Sequence, residues 1–176
     1  MGKRSSFERV PRDFYPTPYE AVVPLLPHLI PGTRFDEVCC GAGDLIRHLE
    51  RHGHKCARCS DIEVVPGAPE WAFECDARET RECEGDVFIT NPPWARDLLH
   101  PIIRNLSSIA PTWLLFDADW MHTKQAAPFL PWLHKIVSVG RVKWIPDSKM
   151  TGKDNCAWYL FDQRADGRAE FFGRCA

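Results

Sequence analysis

The chain has 176 residues and a mass of 20.2 kDa, with 44% hydrophobic residues, 26% charged residues and a formal charge of −2. Seven Trp and ten Phe supply the apolar bulk of a folded core, and so small a net charge excludes a disordered chain. The longest apolar stretch, 21–30, is broken by Pro24, Pro27 and His28, which excludes a spanning helix; the opening MGKRSSFERVPRDF lacks the apolar run of a secretory signal, so a soluble, cytoplasmic chain is expected.

Residues 1–12 carry Lys3, Arg4, Arg9 and Arg12 against Glu8 and read as a flexible basic arm. The first regular unit is a strand predicted over 34–39, running through a glycine turn into a helix over 44–51. Gly41 and Gly43 let backbone approach a ligand closely, the helix presents N–H donors, and Glu37 near the strand end can accept from a cationic amine. A dinucleotide-binding turn would carry a third glycine where Ile46 stands, so a ligand with an ammonium group fits better than a pyrophosphate. Taken alone, the pattern is equally that of a plain tight turn.

A second strand, 55–60, leads into Asp61-Ile62-Glu63, at the spacing where an acid meets ribose hydroxyls in folds of this kind; Glu63 can serve in place of Asp61. The same strand holds Cys56-x-x-Cys59, which raises a zinc hypothesis with His52, His54, Cys75 and Cys83 as completing ligands. No second pair of metal spacing accompanies it, and a core of this size needs no disulfide staples. Reduced thiols and no metal are therefore expected from the eight cysteines. A short strand over 71–75 precedes Asp76, which can accept from an exocyclic amine such as that of adenine, or can serve as a helix cap or loop acid.

The strand predicted over 86–90 runs straight into Asn91-Pro92-Pro93-Trp94. The prolines fix φ and lack N–H groups, so the loop is stiff. The Asn91 amide oxygen and the Pro92 carbonyl can accept both protons of one planar NH2 group, while Trp94 stacks on the attached ring. Such a clamp aims a nitrogen lone pair at an electrophilic methyl by orientation alone, without a covalent nucleophile.

Leu98, Leu99, Ile102, Ile103 and Leu106 mark a helix that either starts or kinks at Pro101 and is closed by Pro111. A buried strand over 112–116, a short helix over 123–130 and two strands over 135–145 and 156–161 follow. The expected fold is α/β: a mostly parallel sheet with helices on both faces and an antiparallel edge hairpin, in a single domain. Trp120, Trp132, Trp144 and Trp158 read as core before stacking platforms, and His122 and His134 as structural. Between Asp61 and Asp86 nine acids face two bases, whereas 141–153 holds Arg141, Lys143, Lys149 and Lys153 against Asp147. Solvated faces give such runs, and so does a surface that orients a polyanion.

Asn91 to Trp94 resembles the N-P-P-[YFW] motif of S-adenosylmethionine-dependent amino-methyltransferases, in particular the N6-adenine DNA methyltransferases. Glu37-Val-Cys-Cys-Gly-Ala-Gly43 is similar to their glycine-rich motif, Asp61 to their ribose acid, Asp76 to their adenine-contacting acid, and Asp13-Phe-Tyr-Pro-Thr-Pro18 to their additional cofactor motif. The motif order resembles that of the gamma-type enzymes, and the tail from Gly140 resembles the closing strand region of small phage-borne and bacterial members. The resemblance spans residues 13–161 and implies a class I, Rossmann-like methyltransferase fold that moves methyl from S-adenosylmethionine to adenine N6 in DNA, leaving S-adenosylhomocysteine. It implies catalytic roles for Asn91, Pro92, Pro93 and Trp94, and cofactor contacts from Tyr15, Thr17, Pro18, Glu37, Cys39, Gly41, Gly43, Asp61, Ile62, Asp76 and Asn91.

Glu37 stands where Asp is usual, with the carboxylate retained. The chain also lacks the separate target-recognition region of restriction-modification enzymes, which leaves recognition to a minimal element over 146–155 or to a partner chain. A duplex target would have to be flipped out of its stack. Arg12, Lys143, Lys149 and Lys153 are the candidate nucleic-acid contacts. The rival readings are the same chemistry on RNA adenine, cytosine N4 or protein glutamine, and a binding module without turnover.

Overall fold

Strands covered on both faces must be apolar at consecutive positions, and the central ones here are. In Val87–Thr90 (β4), Val87 and Ile89 pack to one side of the sheet and Phe88 to the other; in Thr112–Asp117 (β5), Trp113 and Leu115 part from Leu114 and Phe116 in the same way. The computed structural model describes residues 15–145 and 152–174. Arg34–Glu37 (β1), Lys55–Asp61 (β2), Phe73–Glu74 (β3), Leu133–Gly140 (β6), Cys156–Phe161 (β7) and Glu170–Phe172 (β8) complete a sheet of eight strands among the described residues, in the order β3-β2-β1-β4-β5-β7-β6-β8. Every described pairing is parallel except those made by β7, which lies antiparallel between β5 and β6. The chain leaves β1 towards β2 and β3 on one side and resumes with β4 and β5 on the other. The crevice at the carboxyl ends of β1 and β4 is thus a topological switch point, where open α/β sheets bind ligands.

Tyr19–Val22 (α1) and Asp44–Glu50 (α2) cover one face, while Arg96–Ile109 (α3) and two 3-10 segments, Ala118–His122 and Lys124–Trp132, cover the other. α3 begins upstream of Pro101 and runs through it. Burial of Leu99, Ile102, Ile103 and Leu106, at about 1.5–3 kcal/mol each, outweighs the ~3 kcal/mol cost of an interior proline. The short helix expected over 123–130 is present as Lys124–Trp132 and is 3-10 in form, because Pro128 and Pro131 interrupt the α-helical ladder. β6 ends at Gly140, whose φ of +87° takes the backbone out of the extended region, so it does not reach 145. β8, which the sequence did not reveal, pairs with the outer side of β6.

Part of the acidic stretch is structural. Buried Asp36 accepts from the backbone N–H groups of Glu84 (2.8 Å) and Gly85 (2.9 Å), and a Cβ on Gly85 would lie 2.7 Å from the Arg34 carbonyl. Arg58 pairs with Glu82 and Glu84 at the surface, contacts worth no more than ~1 kcal/mol. Trp120 and Trp158 are buried in the core, and the Trp158 indole donates to the Ala21 carbonyl (2.7 Å). Trp132 packs against the core, and His134 bonds the Asp162 carbonyl. Cys56 and Cys59 are buried thiols on β2. Among the described residues no group of three or more His, Cys, Asp or Glu could hold a metal ion, and no helix is long and apolar enough to cross a membrane.

Candidate active site

A cavity of about 630 Å3 opens at the switch point. Tyr15, Thr17, Glu37, Cys39, Gly41, Asp61, Ile62, Asp76, Asn91 and Pro93 line it, so segments far apart in sequence converge there. Pro18, Gly43, Pro92 and Trp94 lie outside its lining. Glu63, Ala77 and Arg78 also contribute to the wall; nothing in the sequence pattern marked Arg78.

The turn after β1 is built by Gly41 and Gly43, with φ of +49° and +83°. The Gly41 N–H donates to Asp61 Oδ2 (2.8 Å), so the acid at the end of β2 braces the turn while facing the cavity. Gly43 has a different reason from the one expected of it. A Cβ there would meet Pro69 Cδ at 3.1 Å and Arg47 Nη1 at 3.3 Å, so this glycine admits the loop after β2.

Glu37 is 1% exposed, and Cys39 N–H donates to its Oε1 (3.0 Å). Burial pushes its carboxyl well above the usual range, only partly opposed by the Thr90 hydroxyl and the Cys39 N–H. The Cys39 thiol is pushed up for the same reason, with the nearby Glu37 and Asp61 charges adding to it. Asp76 is held by Arg78, whose Nη2 reaches Oδ2 at 2.5 Å and whose backbone N–H reaches Oδ1 at 2.9 Å. That guanidinium keeps the Asp76 carboxyl below its ordinary value.

Asn91 follows β4 at the rim. Its Nδ2 donates to Thr17 Oγ1 (3.2 Å), and its Oδ1 accepts from the Trp94 indole N–H (3.3 Å), which also reaches the Leu115 carbonyl (3.1 Å). Trp94 is half-buried and meets Trp144 edge to face, with ring centroids 5.5 Å apart and planes at 85°. Tyr15, on the cavity wall, meets the same Trp144 at 6.4 Å. An aromatic group of three thus stands beside the Asn91 amide, and Trp144, which packs against the core as its sequence context suggests, belongs to it as well.

Lys143 and Lys153 flank Trp144 in chain order, and the Val142 carbonyl accepts from the Gly152 N–H (2.8 Å), drawing the ends of this loop together. The Lys143 backbone N–H donates to Glu20 (2.5 Å). Arg12, Lys149, the arm over 1–12, Asp13, Phe14 and most of the candidate recognition element lie outside the described residues. His122 lines a separate shallow cavity with Ser138 and Arg174.

No protein-family model matches the sequence, and a search of curated proteins finds no match. Solved structures do match. A candidate RNA methyltransferase from Pyrococcus horikoshii is similar with a TM-score of 0.62 at 19% identity, over 86% of this chain and 88% of that one. This is the class I methyltransferase fold. A dimethyladenosine transferase from Plasmodium falciparum shares it with a TM-score of 0.56 at 16% identity, over 84% of this chain and 62% of that one. A modification subunit of a candidate type I restriction enzyme from Vibrio vulnificus gives 0.55 at 15% identity, over 93% and 47% respectively. In the class I methyltransferase fold as this chain builds it, the cavity lies over β1 and β2 and Asn91 stands at the end of β4.

Proposed function

We propose that the chain is an S-adenosylmethionine-dependent N-methyltransferase whose target is the N6 amine of adenine in DNA. The observation that carries this reading is the Asn91 amide, set between the cavity and the aromatic group, with its oxygen turned to the aromatic side. The fold shared with a candidate RNA methyltransferase, a dimethyladenosine transferase and the modification subunit of a candidate restriction enzyme supports it.

The residues present fit the cofactor. The cavity volume lies within the ~300–1,000 Å3 of small-molecule sites. A buried carboxyl with a raised pKa suits a cationic amine, which would draw Glu37 into its ionised form. Asp61 and Glu63 offer acceptors to ribose hydroxyls, and Asp76 offers one to an adenine amine by sharing its lone pairs with Arg78. When bound, the cofactor supplies an electrophilic methyl group. Asn91 Oδ1 and the Pro92 carbonyl accept the two protons of the target NH2, Trp94 and Trp144 hold the ring, and the nitrogen lone pair is directed towards the cavity. Those hydrogen bonds strengthen as positive charge develops on nitrogen, and the surplus proton then leaves to water.

The cost of unstacking a base would favour single-stranded or distorted DNA as the target, or a partner chain that supplies specificity. Lys143 and Lys153 are the described candidates for backbone contact, and Arg12 and Lys149 join them from outside the described residues.

The test is incubation of pure protein with tritiated-methyl cofactor and, separately, duplex DNA, single-stranded DNA, RNA and protein extract, followed by mass spectrometry of the product. N6-methyladenine in DNA is the expected result. Label in RNA or protein would replace the substrate, and cofactor binding without transfer to any of them would overturn the enzymatic reading.

A further inference from the structure

An asparagine amide is nearly symmetric in shape, so packing does not decide which end faces which way; hydrogen bonds do. The indole N–H of Trp94 is a donor only, and its partner 3.3 Å away must be the Asn91 oxygen. The NH2 end therefore faces the Thr17 hydroxyl, 3.2 Å away, which must act as the acceptor.

The two flanking bonds are not equivalent during the reaction. A target amine brings two N–H donors and needs the Asn91 oxygen, so it must displace the Trp94 N–H, which keeps the Leu115 carbonyl at 3.1 Å as its other acceptor. From that moment Thr17 is, among the described residues, the partner left to hold the amide against a flip that would set an NH2 group against the incoming NH2. Thr17 is suited to this. It is buried and sits between Pro16 and Pro18, and the Pro18 carbonyl accepts from Ala21 N–H (3.0 Å). Since its oxygen accepts from Asn91, its own proton is left to point elsewhere along the cavity wall.

We propose that Thr17 is the positioning residue of the clamp, fixing the amide orientation in which the Asn91 oxygen meets the target amine. The assignment rests on the methyltransferase reading for its purpose and on the hydrogen bonds for its geometry, and the two can fail separately. Thr17→Val removes the acceptor at nearly constant volume, and Thr17→Ser keeps it.

At saturating cofactor the Val variant should lose about 10- to 100-fold in kcat, the scale on which small misorientations act, while the Ser variant stays within about threefold of wild type. In free protein, the 15N–1H signals of the Asn91 side-chain NH2, identified by their loss in Asn91→Ala, should shift in the Val variant and hold in the Ser variant. Should Thr17→Val fold poorly in a thermal melt, Thr17→Ala must show the same loss and the same shift. Unmoved Asn91 signals, or a kcat within threefold of wild type in the acceptor-free variants, overturns the proposal. If wild-type protein methylates nothing, the function falls and the spectra alone decide the contact.

Discussion

Replacing Glu37 by Gln should move stability and binding in opposite directions. The side chain is 1% exposed, and the glutamine keeps its shape and an acceptor for the Cys39 N–H while removing the titration. The folded pKa is raised above the unfolded one, so the protonated carboxyl favours the fold. That contribution is full below the unfolded value, near 4.5, and is lost as pH rises through the folded value. At pH 8, above the unfolded value, the wild type has given up at least part of that contribution, and Gln, which does not titrate, has not. Poorly satisfied buried polar groups cost about 1–3 kcal/mol, so the variant should melt ~2–10 °C higher without ligand. The gain should vanish near pH 4.

Binding has the other sign, because a charge-assisted bond to a ligand ammonium contributes about 1.5–3 kcal/mol. S-adenosylhomocysteine, which keeps that ammonium, should bind about 10- to 150-fold more weakly to the variant by titration calorimetry. Wild-type affinity should rise with pH through the folded pKa of Glu37, with release of a proton. A variant that is less stable and binds as tightly as wild type would mean that Glu37 is satisfied by the protein itself, and would remove it from the cofactor site.

Asn91→Ala should lower kcat at least ~100-fold in the methyl-transfer assay while calorimetry gives a cofactor affinity within about threefold; joint loss would make the residue structural. Gly43→Val places a Cβ 3.1 Å from Pro69 at a φ of +83°, so a denaturant melt should show a loss of ~2 kcal/mol and binding should fall as the loop shifts. Intact binding would mean that the turn does not shape the cofactor cavity. Arg78→Ala removes the competitor for Asp76, and adenosyl ligands should bind up to about fivefold more tightly; weaker binding would show that Arg78 itself touches the ligand.

The sequence exposed those parts of the site whose chemistry is local. The run from Glu37 to Gly43, Asp61 at the end of β2 and Asn91 at the end of β4 each sit where a strand stops and a turn residue or proline begins, so their position is written within a few residues. What stayed hidden depends on distant partners. Trp144 reads like any aromatic residue beside a strand until Trp94 and Tyr15 are brought to it. Arg78 carries no pattern, and its hold on Asp76 is a matter of rotamer. The expected role of Gly43 came from its spacing, whereas Pro69, which explains it, comes from the next loop. β8 has three residues, too few for any periodicity to show, and over 123–130 hydrophobic spacing gives a helix without separating α from 3-10 turns.

The bond from Trp158 to Ala21 joins residues 137 apart in sequence, and Lys143 meets Glu20 across 123. The stretch that carries Tyr15 and Thr17 is therefore seated by residues made long after it. Contacts of such long range are slow to form. On the ribosome the glycine turn and the β4 corner can be shaped early, but the Thr17 side of the clamp must wait for β7, whose Trp158 follows Ala21 by 137 residues.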